Sequence, residues 1–259
     1  MIKIIVYIVA LVSASGARAE IREIKSMAEA FGEVQAGDLI VLDIDNTIYQ
    51  PAQVLGSDQW FLQQVENYKS QGLSADQALE QGIQDARLVH ELTKVHAVQN
   101  INPLYIRRAQ RDGFRVMALT ARPVNWKEIT RAQLNSVHVN LNNEGLSYSE
   151  GVDVEYHQGV LFVGPRSNKG LVLKRFLEQT HLPAKRLIFV DDRTKHVENM
   201  EAAFLDSGLP NLNFRYGFID PVVAAFNPEL ADLEWNFFKQ TGRLLTDAQG
   251  EALLKRRRR

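Results

Sequence analysis

The sequence predicts an α/β fold, a parallel sheet covered by helices on both faces. Three observations predict it. Residues 39–42, 114–119 and 186–190 are short apolar runs without alternation, the pattern of strands buried on both faces. Stretches with apolar residues at helical spacing separate them, as a sheet of parallel strands requires. Each run also leads into a polar residue (Asp43, Thr120 or Asp191), and in open parallel sheets ligands bind at the carboxyl ends of the strands.

The elements follow in order. Residues 1–19 have the layout of a secretory signal peptide: Lys3, an uncharged apolar run over 4–12, then Ala17-Arg18-Ala19 before Glu20. The run is shorter than the ~20 residues that span a bilayer. An uncleaved anchor or a buried first strand is the alternative. Ile21, Ile24, Met27, Ala28 and Phe31 recur at helical spacing and predict an opening helix, broken by Gly37-Asp38. Residues 39–42 form the first strand. Helical periodicity then runs from Trp60 to about Arg111, with a last helix over 103–111 that stops at Asp112-Gly113.

A strand over 114–119 follows, and Pro123 suits the first turn of a helix over 124–134. A short strand is expected at 137–139 and a hairpin over 152–163, turning at Gln158-Gly159. A helix over 169–179, the strand 186–190, a helix over 195–206 and a strand over 213–216 come next. Helices over 227–240 and 247–254 close the fold. Lys255-Arg256-Arg257-Arg258-Arg259 read as a solvated, disordered tail that could also touch an anionic surface such as lipid headgroups.

The chain's 259 residues suffice for one large domain or one domain with an insertion. The absence of cysteine excludes disulfides, thiolate zinc sites, iron–sulfur clusters and cysteine nucleophiles. Its 30 basic and 31 acidic side chains nearly balance, which argues against a nucleic-acid partner. The balance is a cancellation: without residues 1–19 and the five terminal cations, 23 basic side chains face 31 acidic ones. The globular part is acidic.

Four short segments carry the chemistry. Asp43-Ile44-Asp45-Asn46-Thr47 sets two carboxylates two residues apart where the first strand unwinds. One can attack phosphorus while the other handles protons. Asp as an ordinary turn residue is the alternative. A calcium loop is excluded, because its required Gly and Glu positions hold Ile48 and Val54. In Leu119-Thr120-Ala121-Arg122-Pro123, the hydroxyl and the free backbone N–H groups can hold a phosphate, although Thr is also an ordinary helix cap. Lys169, in Gly164-Pro165-Arg166-Ser167-Asn168-Lys169-Gly170, opens a helix where the dipole disfavours a cation, so it either asks for an anionic partner or is solvated. Asp191-Asp192 after the third run gives hard oxygen donors of the kind Mg²⁺ prefers, or a helix cap.

Taken together, in this order and spacing, the four resemble the motifs of haloacid dehalogenase-like phosphatases, exported bacterial members included. The resemblance covers about residues 38–216. It implies a three-layer Rossmann-like parallel sheet, with a helical cap inserted between the first and second motifs. The core would take 20–48 and 113–254, and the cap 49–112. It implies Asp43 as nucleophile, forming an aspartyl-phosphate, and Asp45 as acid and base. Asp43, Asp45 through its carbonyl, and Asp191 would hold Mg²⁺. Thr120, Ala121 and Lys169 would bind the phosphoryl group. Asp192 would orient Lys169 or a metal-bound water. Many members carry a further acid or Asn four residues after the Asp pair; here that position is His196, with Glu198 and Asn199 beyond.

The acid at Asp45 favours phosphatase or phosphotransferase chemistry over dehalogenation. Gln53, Trp60, Arg87, His90 and His96 are the cap's candidates for contacting a small phosphate-ester substrate. The expected protein is thus an exported phosphohydrolase, periplasmic or secreted. A phosphotransferase, or a non-catalytic binding or host-interaction protein on the same scaffold, stands as the alternative.

Overall fold

The computed structural model describes residues 19–141 and 144–258, so the expected signal segment lies outside the described residues save Ala19, as does Arg259. The chain begins with β1 (Ala19–Ile24), α1 (Met27–Gly32), β2 (Asp38–Leu42) and β3 (Tyr49–Pro51). Next come α2 (Asp58–Ser70), α3 (Ala75–His90), β4 (Val95–Ala97), α4 (Asn102–Arg111) and β5 (Arg115–Thr120). A 3-10 turn (Val124–Trp126) leads into α5 (Lys127–Ser136), then β6 (Tyr148–Glu150), β7 (Val154–His157) and β8 (Val160–Phe162). The remainder is α6 (Lys169–Thr180), β9 (Arg186–Asp191), α7 (Thr194–Phe204), β10 (Asn211–Tyr216), α8 (Asp220–Ala224), α9 (Pro228–Thr241) and α10 (Asp247–Arg257).

Among the described residues the main sheet has eight strands in the order β1-β10-β9-β2-β5-β8-β7-β6. Pairing is parallel from β1 through β8, and β7 and β6 join antiparallel at one edge. Alternate residues of β2 serve opposite faces. Ile40 and Leu42 enter the core beneath α1, α4 and α5 with Met27, Ile106 and Leu134. Leu39 and Val41 enter the core beneath α6 and α7 with Phe176 and Met200. A strand covered on both sides has no polar face, which is why its sequence shows no alternation. The fold is thus a three-layer α/β sandwich of Rossmann type, as expected. Its chain order reverses at β2, which has β5 on one side and β9 on the other, so the loops after these three strands meet at one edge.

Four local expectations are corrected. Residues 19–24 form a strand, with the helix starting only at Met27, because β10 offers a free edge to Ile21 and Ile24 and Ser26 with Glu29 makes a capping box. Residues 137–139 are no strand: His138 takes a left-handed φ of 60° and the N–H of Val139 returns to the Leu134 carbonyl, ending α5. The stretch 60–111 is not helical throughout, since β4 pairs antiparallel with β3, and α4 packs on the sheet beside α1 rather than with α2 and α3. The terminal cations are not a disordered tail: Lys255, Arg256 and Arg257 form the last turn of α10, where the helix dipole favours cations, and Arg258 pairs with Glu229. The hairpin is as expected, with positive φ at both Gln158 and Gly159.

Helices α2 and α3 therefore leave the sheet edge and return to it through the β3–β4 ribbon. They pack against α9 in a separate apolar cluster built on Trp60, Ala86, Val89, Trp126 and Trp235.

Candidate active site

The first motif folds as a tight turn at the end of β2. The Asp43 N–H donates to the Val190 carbonyl of β9 (2.8 Å), and Asn46 takes φ 63° so that its N–H reaches the Tyr49 carbonyl (2.9 Å). Ile44 is fully buried between the two carboxylates of the motif. Asn46 also donates its side-chain N–H to Asp192 (3.2 Å), tying the first motif to the fourth.

Around Asp43 the sheet edge gathers a compact charge cluster. Lys169, 1% exposed, donates from Nζ to Asp43 and to Asp191 (2.7 Å for the latter). It can do so because Gly170 lets α6 approach α7: a Cβ there would lie 2.4 Å from the Asn199 carbonyl oxygen. Asp191 is satisfied three ways, by Lys169, by the Arg193 N–H (2.8 Å) and by His196 Nδ1 at 3.0 Å. Burial alone would raise it, but Lys169 and His196 hold its carboxyl well below the usual range. Asp43 is less well served: burial pushes its carboxyl up, and although Lys169 pulls it down, Asp191 and Asp45 push it further up. Asp192 is pushed up by burial and then by Asp191 and Asp43. One ammonium therefore bonds two of three crowded carboxylates.

Those three fit a divalent cation. Asp43, Asp191 and Asp192 each offer an oxygen, and these atoms lie within 4.8 Å of one another. Hard, crowded oxygen donors with an upward pull on two of them suit such an ion. Asp192 accepts from Asn46 and offers an oxygen to this cluster, while the Lys169 ammonium bonds Asp43 and Asp191. The carboxyl of Asp45, by contrast, is engaged elsewhere.

Asp45 belongs to a second cluster, built on Arg122. The guanidinium donates from Nε (2.8 Å) and Nη2 (2.7 Å) to the two Asp45 oxygens, a bidentate pair. Its Nη1 donates to Thr130 (3.1 Å) and Gln133 (2.8 Å). Tyr49 and Trp126 face the guanidinium at 5.4 and 5.6 Å. His90 Nδ1 lies 3.4 Å from Nη2, and burial, then Arg122, push that imidazole down to about 3, so it is a neutral acceptor. Burial raises the Asp45 carboxyl, but Arg122, with Lys169 behind it, brings it below its usual range, so Asp45 is held as the carboxylate. Arg122 stood beside Thr120-Ala121 in the second motif; its only sequence signal was a cation at a buried strand end.

Both clusters open on a cavity of about 250 Å³. Asp43, Asp45, Thr120, Ala121, Lys169 and His90 line it, so the edge brings these expected residues together. The Thr120 hydroxyl accepts from the Arg122 N–H (3.2 Å), leaving its proton free to donate. Arg193 and Asp58, paired at 2.5 Å, join the rim and link the fourth motif to the start of α2. Four candidates do not reach the cavity. Trp60 is fully buried against Trp235, since a large apolar side chain at that position serves the α2–α9 core. Arg87 pairs along its helix with Glu91. Gln53 and His96 line a second cavity beside α8 and α10.

Comparisons with known proteins add the following. A candidate outer membrane protein of Chlamydia muridarum is 24% identical over 220 residues, covering 84% of this chain and 82% of that one. One of Chlamydia trachomatis is 24% identical over 249 residues, 94% and 93% of the two chains. No helix among the described residues is long and apolar enough to cross a membrane. Among solved structures, the class C acid phosphatase of Bacillus anthracis aligns over 86% of this chain and 80% of that one, at 16% identity and TM-score 0.38. The haloacid dehalogenase-like domain of the effector Lem4 of Legionella pneumophila aligns over 78% and 99%, at 11% identity and TM-score 0.39. Superpositions that loose decide nothing about chemistry; the sheet order and the side chains do that work. Residues 19–250 match the family described as "Protein of unknown function (DUF2608)", and the chain belongs to that family.

Proposed function

We infer that the protein is an exported, Mg²⁺-dependent phosphomonoester hydrolase acting through an aspartyl-phosphate on Asp43. The observation that carries this reading is the convergence of Asp43, Lys169, Asp191, Asp192 and Thr120 on one sheet edge, with Asp43, Lys169 and Thr120 lining one cavity. Export is supported by the signal-like residues 1–19 and by the names of the chlamydial relatives.

In this reading a carboxylate oxygen of Asp43 attacks phosphorus and the ester oxygen leaves. Lys169 and Thr120 hold the phosphoryl oxygens, neutralising the charge that otherwise repels an anionic nucleophile. Mg²⁺, held by Asp43, Asp191 and Asp192 with the Asp45 carbonyl, would supply further charge neutralisation. Held as a carboxylate by Arg122, Asp45 suits the second step, where it takes a proton from the water that opens the aspartyl-phosphate. For the first step it must receive a proton before it can give one to the leaving oxygen. Helices α2 and α3 cover the cavity and act as its lid.

The test is phosphate release from a panel of phosphate esters with Mg²⁺, repeated with EDTA and with Asp43→Asn. Activity that disappears in both is expected. Full activity of the Asn variant would sink the mechanism. Silence of the wild type across the panel with Mg²⁺, Mn²⁺ and Co²⁺ would instead support the binding-protein alternative. Adding alcohol acceptors distinguishes hydrolysis from phosphotransfer by the product formed.

A further inference from the structure

The cavity has two unlike walls. Its floor is charged, with Asp43, Lys169 and the Arg122–Asp45 pair. Its opposite wall comes from α2 and α3, where Phe61, Leu62, Leu79, Ile83 and Ala86 form an apolar patch, with Asp58 and His90 of the same helices at its margins. Leu62 is 49% exposed, and Phe61, Leu79 and Ile83 are only partly covered, so this wall is apolar surface left uncovered beside a highly charged floor. Between Phe61 and Ala86 none of these lining side chains has a hydrogen-bonding group. Apolar surface placed there needs an apolar occupant, because water against it is unfavourable.

The size of the cavity limits that occupant. A cavity of about 150 Å³ lined by Leu, Ile and Phe takes up benzene. The present one, at about 250 Å³ and open at the Leu62 side, has space for one ring and a phosphoryl group. Hydroxyls placed against Leu79 and Ile83 would find no partners on that patch, which disfavours a sugar there.

Resting on the phosphatase reading above, we propose that the substrate is a phosphate monoester bearing a single aromatic ring, with the phosphoryl group on Asp43 and Lys169 and the ring against Phe61, Leu62, Leu79 and Ile83. The remainder of a larger molecule would leave past Leu62, the most exposed residue of the wall. Specificity then resides in α2 and α3, and chemistry in the sheet edge.

The test compares benzyl phosphate with ribose 5-phosphate, both of which release an alkoxide oxygen, so that leaving-group reactivity does not mask binding. The expected kcat/KM ratio in favour of benzyl phosphate is about a hundredfold, the size of burying one ring. Leu62→Gln, at a half-exposed position that tolerates a polar group, and Ile83→Asn should each cut that ratio at least about fivefold. Should Ile83→Asn fail to fold, competition in the wild type replaces it: phenylphosphonate should inhibit at a concentration at least about tenfold lower than methylphosphonate. Equal turnover of both esters, or a ratio that Leu62→Gln leaves unchanged, would overturn the proposal while leaving the phosphatase reading intact. No phosphate release from any ester would overturn both.

Discussion

Lys169 and Arg122 are both buried cations at the same sheet edge, and their surroundings differ in kind. Lys169 serves a cluster with more carboxylates than it can neutralise, where Asp43 and Asp192 are left wanting positive charge. Arg122 sits in a cage whose hydrogen bonds are satisfied: one carboxylate takes two of its N–H groups, Thr130 and Gln133 take a third edge, and two aromatic rings cover its faces. A satisfied cage holds its shape, whereas an under-neutralised cluster is prepared to bind something. In the proposed reading the Lys169 cluster would take the cation and the phosphate, and the Arg122 cage holds Asp45 beside it.

The largest effect that could break this comparison is Lys169→Met. Two buried carboxylates lose their counter-charge, and the expected loss of stability is about 3–5 kcal/mol, read as a shift in urea midpoint. Arg122→Met should cost about 3 kcal/mol, less than the Lys169 change because Asp45 keeps some access to water. Arg122→Lys should recover less than half of that, since a single ammonium cannot reproduce the bidentate geometry. If Arg122→Met costs nothing, the cage is not a structural unit.

Cation binding sharpens the contrast further. Mg²⁺ at a hundred times its Kd should stabilise the wild type by about 2.7 kcal/mol in thermal unfolding. Asp191→Asn should abolish that gain, whereas Arg122→Met should keep it. A gain that survives Asp191→Asn would place the ion elsewhere.

The smallest effects are in the pH dependence, and they have opposite signs in two regions. His90, in the Arg122 cage, stays neutral down to about 3 when folded, against 6.5 unfolded. The unfolded state binds more protons in that window, so this contribution is full above pH 6.5 and is lost as pH falls toward 3. Glu234, buried in α9 and accepting from the Leu55 N–H at 3.3 Å, is pushed up to about 8, first by burial and then by Asp247. Here the folded state binds more protons, so the contribution is full below about 4.5 and is lost as pH rises through about 8. Each slope is at most about 1.4 kcal/mol per pH unit. His90→Gln should flatten the acid limb of a urea-midpoint profile and Glu234→Gln the alkaline limb; unchanged limbs would refute the assignments.

Much of the site was legible because its residues stand at strand ends. Asp43, Thr120 and Asp191 follow apolar runs, and a parallel sheet brings such ends together whatever the sequence distance. Lys169 was legible as a cation at a helix start. Arg122 was not, since a lone Arg before a proline does not show that Asp45, Gln133 and His90, 77, 11 and 32 residues away, will enclose it. Phe61, Leu79 and Ile83 were equally hidden, because an apolar residue on an amphipathic helix looks the same whether it meets another helix or an open cavity.

The same division runs through the fold. Apolar runs, their polar ends and the capping and turn residues fixed the helices and strands of the centre, because these are local or strictly periodic signals. Edges went the other way. Whether Ile21 and Ile24 face a helix core or pair with β10, and whether Val137 and Val139 extend or turn, depends on what lies alongside. By itself the sequence determined a parallel α/β sheet with acids, a hydroxyl and a lysine at its carboxyl edge. Only the tertiary structure decided how charge is shared there, with Lys169 between Asp43 and Asp191 and Asp45 given to Arg122. Charge pairing acts over a few ångströms in space, and spacing along a chain does not record it.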